Sequence, residues 1–205
     1  MAEKGRAVAK QETREALIAA ALAEFIARGL DVPSLDAICA RAGYTRGAFY
    51  VHFRDRDDLL AAVVERVLGS FIDTVIATGD QAHDLERTID RFADAVRAAL
   101  SASAADPTLP LPPAVPFGRL LDAISRNRKL RERFVALLSR ALARLTEVAA
   151  HGQAARGVRR DVESAQIAFL LLTIALGVVV AIDAGLEVDV AGARIAALAL
   201  VSPAR

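Results

Sequence analysis

Gly43-Tyr44-Thr45-Arg46-Gly47-Ala48-Phe49-Tyr50-Val51-His52-Phe53 is the stretch that decides the fold. It follows a short amphipathic segment and packs small, aromatic, hydroxyl and cationic groups into barely two helical turns. A core helix would bury Arg46, Tyr50 and His52. A plain surface helix would expose Phe49 and Phe53. A short helix seated on a core by one face, with a polyanion against the other, needs both kinds of residue.

Working outward, Ser34 to Arg41 reads as a helix with Ser34 as N-cap and Leu35, Ile38 and Cys39 on its inner face. Gly43 terminates it. Thr45 caps the next short helix, which reaches about Phe53. Two helices joined by a tight turn form a helix-turn-helix, whose second helix enters the DNA major groove while the first crosses the backbone. Thr45, Arg46, Gly47 and Ala48 would meet DNA. Arg46 can donate two hydrogen bonds to guanine O6 and N7. Gly47 and Ala48 permit close approach, and the Ala48 methyl can touch a thymine methyl. Tyr50, His52 and Arg56 lie where phosphates would run. Ser34 adds a backbone N–H contact at a helix N-terminus.

Thr13 to Arg28 is a preceding helix, with Leu17, Ala21 and Phe25 on one stripe and Gly29 at its end. Residues 1–10 read as a flexible, charged arm, without the apolar segment of a secretory signal. After the motif, a long helix starts at Asp55 or Asp57 and repeats Leu60, Val63, Val64, Val67, Leu68 and Phe71 at helical spacing. Gly79 and Asp80 mark a break. Leu85 to Leu100 is amphipathic, and Ser101 to Pro116, with five prolines, is a loop. Helices follow at Phe117–Ser125, through Leu130 to Leu145, at Val162–Ile182 and at Val190–Val201, with Gly152 to Arg160 as a connector. The expected fold is all-α, about nine helices, with no internal repeat.

Composition agrees. Among 205 residues, 54% are apolar, 25% charged, and β-branched runs are scarce. The net charge of +1 means that any DNA contact comes from local placement. The single cysteine, Cys39, excludes an internal disulfide framework and reads as a small buried hydrophobe. His83 stands without ligands at metal spacing, so no metal or cofactor is expected. Arg126, Arg128, Lys129, Arg131 and Arg133 read as a solvated helix start. No nucleophile–base pair, paired carboxylates or Gly-rich phosphate loop appears, so an enzyme is not expected.

Arg14 through Leu60 resembles the DNA-binding domain of the tetracycline-repressor (TetR) family of bacterial transcription regulators. The matching residues are Ala20-Ala21, Phe25, Gly29, Leu35-Asp36-Ala37-Ile38 and Ala42-Gly43. Gly47-Ala48-Phe49-Tyr50, His52-Phe53 and Asp58-Leu59-Leu60 complete them. The resemblance implies a homodimer that reads a roughly palindromic operator, and a C-terminal helical domain that binds a small molecule and then releases DNA; the single cysteine suits a reducing cytoplasm, the expected location. The family's contacts fall on Ser34, Thr45, Arg46, Gly47, Ala48, Tyr50, His52 and Arg56. Three positions depart from the family's habit: Pro33 replaces a threonine, Cys39 an alanine, and Arg56 a lysine.

The expected domains are 10–55, reading DNA, and 56–205, binding effector and dimerising. Phe92, Val96, Phe117, Leu121, Phe134, Phe169 and Thr173 are candidate lining for an apolar effector site. The last two helices carry more apolar surface than one monomer covers, which marks an interface. Phe169, Leu172, Leu176, Gly177, Val180, Ile195 and Leu198 are its expected residues, with Gly177 allowing close approach of a partner helix in a four-helix dimer core. The uncharged run Ile167–Ile182 falls short of the roughly 20 apolar residues of a spanning helix, so no membrane attachment is expected. The expected function is a one-component regulator, a repressor released from its operator by a small effector.

Overall fold

The computed structural model describes residues 2–76, 84–101 and 117–203. Among these residues the chain is helical without a strand: α1 (Ala2–Arg28), α2 (Leu35–Ala42), α3 (Arg46–His52), α4 (Arg56–Val75), α5 (Leu85–Ser101), α6 (Phe117–Arg126), α7 (Arg128–Ala154), α8 (Ser164–Asp183) and α9 (Val190–Val201). The expected break at Gly79-Asp80, the proline loop beyond Ser101, and His83 lie outside the described residues.

The chain forms two compact units. The first holds Met1–Arg66 and Arg119–Phe134, and the second holds Val67–Gly118 and Val135–Arg205. In the first, α1 packs on α2 and α3 around Leu17, Ile18, Phe25, Ile38, Phe49 and Phe53, all buried. Gly29 and Gly43 end α1 and α2 at φ of 85° and 75°, the left-handed region where a side chain is strained. Glu24, only 5% exposed, bridges helices: its carboxylate meets Arg41 of α2 at 3.1 Å and Arg28 at 3.3 Å. Asp58, 8% exposed, takes Arg133 at 2.7 Å and the Arg54 amide at 3.2 Å. Lys129 meets Asp55 at 3.1 Å. The cations near residue 130 are therefore not simply solvated; two of them tie the start of α7 to that of α4.

The N-terminal segment differs from expectation. It belongs to α1, which runs from Ala2. Its local sequence holds no proline, Gly5 is its one weak helix former, and Gln11 Nε2 donates to Glu15 at 2.8 Å, one turn on.

In the second unit, α4, α5, α7, α8 and α9 share one core that includes Ile76, Ile89, Ala141, Leu145, Ala149, Ile167, Ala168, Leu171 and Ala197. Arg194 of α9 pairs with Asp90 of α5 at 2.6 Å. The segment expected to connect from Gly152 is helical to Ala154. Gly152 is fixed by contact: a Cβ there would stand 2.5 Å from Val158 Cγ2.

Candidate nucleic-acid interface

Phe49 and Phe53 are 0% and 2% exposed and anchor α3 on its own domain, their rings 5.5 Å apart. With that face buried, the other is left outward. Thr45, Arg46, Gly47 and Tyr50 are exposed, and Ala48 is half-buried. The Thr45 hydroxyl accepts the Ala48 amide at 3.3 Å, and the Ser34 hydroxyl accepts the Ala37 amide at 3.2 Å. Both oxygens are used as caps, but each keeps its O–H proton to donate outward. A Cβ built on Gly47 would meet nothing nearer than Thr45 Oγ1 at 3.6 Å.

Arg46 is 58% exposed, and its Nε lies 2.5 Å from Asp36 Oδ1. Tyr50 stands edge-on to Phe49 at 5.2 Å and is exposed. His52 is half-buried beside Phe53. Burial first, then the charges of Lys10 and Arg14, hold its imidazole below the ordinary histidine range. Cys39 is buried; burial first, then the charge of Asp36, pushes its thiol up, as for an inert packing residue.

Arg56, expected beside phosphates, makes its contacts within its own domain. Its Nε donates to the Pro33 carbonyl at 3.2 Å and an Nη to the Leu30 carbonyl. Its guanidinium lies 5.4 Å over the Phe25 ring. It is half-buried and pins the loop between α1 and α2 to the start of α4. The cause is Pro33, buried and without an N–H, which leaves that loop's carbonyls to be satisfied by a side chain.

Two further cations lie beside this face. Arg14 stacks on Phe53, its Cζ 5.3 Å from the ring centre, and Lys10 is close enough to act on His52. Arg6, Lys10 and Arg14 repeat at i, i+4, i+8 on α1, a stripe visible only if residues 2–12 are read as helix.

In the second unit a cavity of about 100 Å³ opens between helices. Its walls are Phe71, Ile72, Val75 and Ile76 of α4, Thr88, Ile89 and Phe92 of α5, Ala141 and Leu145 of α7, Leu171, Leu172, Ile174 and Ala175 of α8, and Ala197 of α9. The Thr88 hydroxyl donates to the Asp84 carbonyl at 3.0 Å, so its proton is already used. Of the seven expected lining residues only Phe92 is on this wall. Val96 is buried elsewhere in the same unit, Phe134 is buried in the first unit, and Phe117 is half-buried. Leu121, Phe169 and Thr173 are exposed.

The outer face of α8 and α9 is apolar and uncovered. Phe169 is 63% exposed, Ile195 64% and Val180 45%, and a Cβ on Gly177 would meet nothing within 4 Å. Leu176 is half-buried. Leu172 and Leu198, expected in the same face, are half-buried and pack in part against the core, and Leu172 also lines the cavity. α8 is the one helix among the described residues that is long and apolar enough to cross a membrane.

Residues 17–63 match the family described as bacterial regulatory proteins, tetR family. The chain is 48% identical over 64 residues to the uncharacterized HTH-type transcriptional regulator TtgW of Pseudomonas putida, a match over 31% of this chain and 47% of that one. It is 44% identical over 55 residues to the HTH-type transcriptional repressor BepR of Brucella suis biovar 1, over 27% and 26% of the two chains. The matches thus span half or less of these curated relatives. The fold is similar to that of SmeT in complex with triclosan, with a TM-score of 0.66, 27% identity, and coverage of 93% of this chain and 91% of that one. SmeT is the repressor of the Stenotrophomonas maltophilia multidrug efflux pump SmeDEF. The similar proteins named by function are regulators, not enzymes.

Proposed function

The chain belongs to the tetR family of bacterial regulatory proteins, and from that premise we propose that it is a homodimeric, one-component repressor released from operator DNA by a small apolar effector. The observation that carries this reading is the split of α3: Phe49 and Phe53 buried beneath, Thr45, Arg46, Gly47 and Tyr50 exposed above. Ser34, Thr45, Tyr50 and His52, with Lys10 and Arg14 of α1, form the phosphate-facing rim. Arg46 to Ala48 face bases. Residues 10–55 are the reading domain and 56–205 the effector and dimer domain. The protein acts in the cytoplasm, where its operator is.

Two copies meet through the uncovered face of α8 and α9, with Phe169, Leu176, Gly177, Val180 and Ile195 at its centre. A two-fold dimer supplies paired half-sites about 34–36 Å apart. The length of α8 alone also suits a membrane, but its exposed apolar residues continue onto the shorter α9, which favours a protein partner. Recovery of the dimer without detergent separates the two.

The effector in this reading enters the α4–α5–α7–α8 cavity. Its walls are hydrocarbon and its one hydroxyl is already used, so a neutral, hydrophobic molecule is favoured. Helix α4 runs from Arg56, in the first unit, to Val75 at the cavity, so its ends meet both events. Only an effector that binds the released state more tightly shifts the equilibrium.

The test is to recover DNA fragments retained by the full chain, then titrate the complex with apolar compounds, triclosan first. Retention of related palindromic sequences, lost on adding a compound that leaves unrelated protein–DNA complexes intact, supports the proposal. Retention without base preference, or no retention, overturns it.

A further inference from the structure

We propose that Asp36 is a specificity-determining residue: it holds Arg46 in the pose that reads a base and keeps it from gripping phosphate, an inference that rests on the DNA-binding reading above. The two residues are ten apart in the chain. The turn at Gly43, with φ of 75°, brings the first turn of α2 against the first residue of α3. Asp36 Oδ1 then lies 2.5 Å from Arg46 Nε.

The side of the guanidinium that meets the carboxylate decides the consequence. A guanidinium carries five N–H donors in a planar fork. With the Asp36 carboxylate in ion-pair contact on the Nε side, the two terminal nitrogens are left to present the end-on pair that fits guanine O6 and N7. Without the carboxylate, a long arginine stem explores many rotamers, and a polyanion offers phosphate in most of them.

Exposure argues against a purely structural role. The Asp36 side chain is 69% exposed and that of Arg46 58%, and such a pair adds little to folding. A negative charge on the face turned toward DNA weakens attraction to any duplex. That loss is useful only if it lowers binding to wrong sequences more than to the right one. Lys10 and Arg14 supply attraction at the rim, while Asp36 subtracts it where bases are read.

The effect expected is that of one exposed charge pair, at most about fivefold in affinity. The full-length dimer would be titrated with its selected operator, with the operator altered at the base pair that Arg46→Ala identifies, and with unrelated duplex, each at several salt concentrations. Asp36→Asn should raise affinity for unrelated duplex about two- to fivefold, steepen the salt slope there by about one, and flatten the preference at that base pair. Asp36→Glu, which keeps the charge and so guards against a mere loss of α2, should retain most of the preference. In an Arg46→Ala background, Asp36→Asn should leave discrimination at that base pair unchanged.

An unaltered preference in Asp36→Asn overturns the inference, as does an equal loss of preference with Arg46 already removed. A parent chain with no base preference at all removes the DNA-reading proposal, and this inference with it. A parent whose preference survives Asp36→Asn removes the inference alone.

Discussion

Replacing Arg56 by alanine separates two roles for one cation. If Arg56 gripped phosphate, Arg56→Ala would leave folding intact, weaken binding to every duplex alike, and lower the salt slope by about 0.9. The structure gives it another role. Its guanidinium donates to the carbonyls of Pro33 and Leu30 and stacks on Phe25. A hydrogen bond from a charged donor contributes about 1.5–3 kcal/mol, and a partly exposed cation–π contact about 0.5–1 kcal/mol. The three share one side chain and do not add fully, so a loss of about 2–4 kcal/mol is expected. That is a large fraction of a total stability of about 5–15 kcal/mol. With a urea m-value of about 2 kcal/mol/M, the midpoint should fall by about 1–2 M. Arg56→Lys should fall between parent and alanine, because one ammonium head cannot hold two carbonyls and stack at once. Urea unfolding followed by circular dichroism, beside DNA titrations across salt, measures both roles. A parent-like midpoint together with a reduced salt slope would refute the structural role.

Gly177→Glu places a charge where a partner helix would pack and should convert the dimer to monomer in sedimentation; a mutant still dimeric moves the interface elsewhere. Ala175→Leu adds a side chain into the cavity of about 100 Å³ and should abolish the response to an apolar effector while DNA binding persists. Because it fills empty space, it should cost less than the roughly 1–3 kcal/mol of overpacking a filled core, as read by thermal melting. His52 should give two opposite pH trends. Its folded pKa is held below the ordinary value of about 6.5, so the unfolded chain takes the proton first. Its contribution to stability is then complete above about pH 6.5 and is lost below it, as pH falls through the lower folded pKa. Phosphate beside it would favour the proton, so DNA affinity should rise over the same fall in pH; His52→Gln should flatten both slopes.

The residues that anchor the reading helix are legible in the sequence because their geometry is local. Ser34, Gly43, Thr45, Phe49 and Phe53 act within two helical turns, and caps, glycine breaks and aromatic spacing report such structure directly. The cavity is not legible. Helix α8 is apolar on every side, so periodicity cannot say which face turns inward; Phe169 and Thr173 fall on the outer face and Leu171 and Ala175 on the inner. The role of Arg56 is hidden for another reason. Its partners lie on a loop more than twenty residues upstream, and only the fold brings them together. The Asp58–Arg133 pair spans a still longer separation, 75 residues. Lys10 escapes a sequence reading because a charged N-terminus resembles an arm, which hides the helical stripe it shares with Arg14.

The central claim is that Arg46, on the exposed face of α3, reads bases as one of a symmetric pair. Selection of bound sequences from a random duplex pool, run in parallel with the parent chain and Arg46→Ala, tests it most directly. The account predicts a palindromic motif for the parent. It predicts the same spacing for the mutant, with the preference at one base pair in each half lost and about 1–3 kcal/mol of discrimination gone there. An identical motif from both proteins, or no motif from the parent, would contradict it.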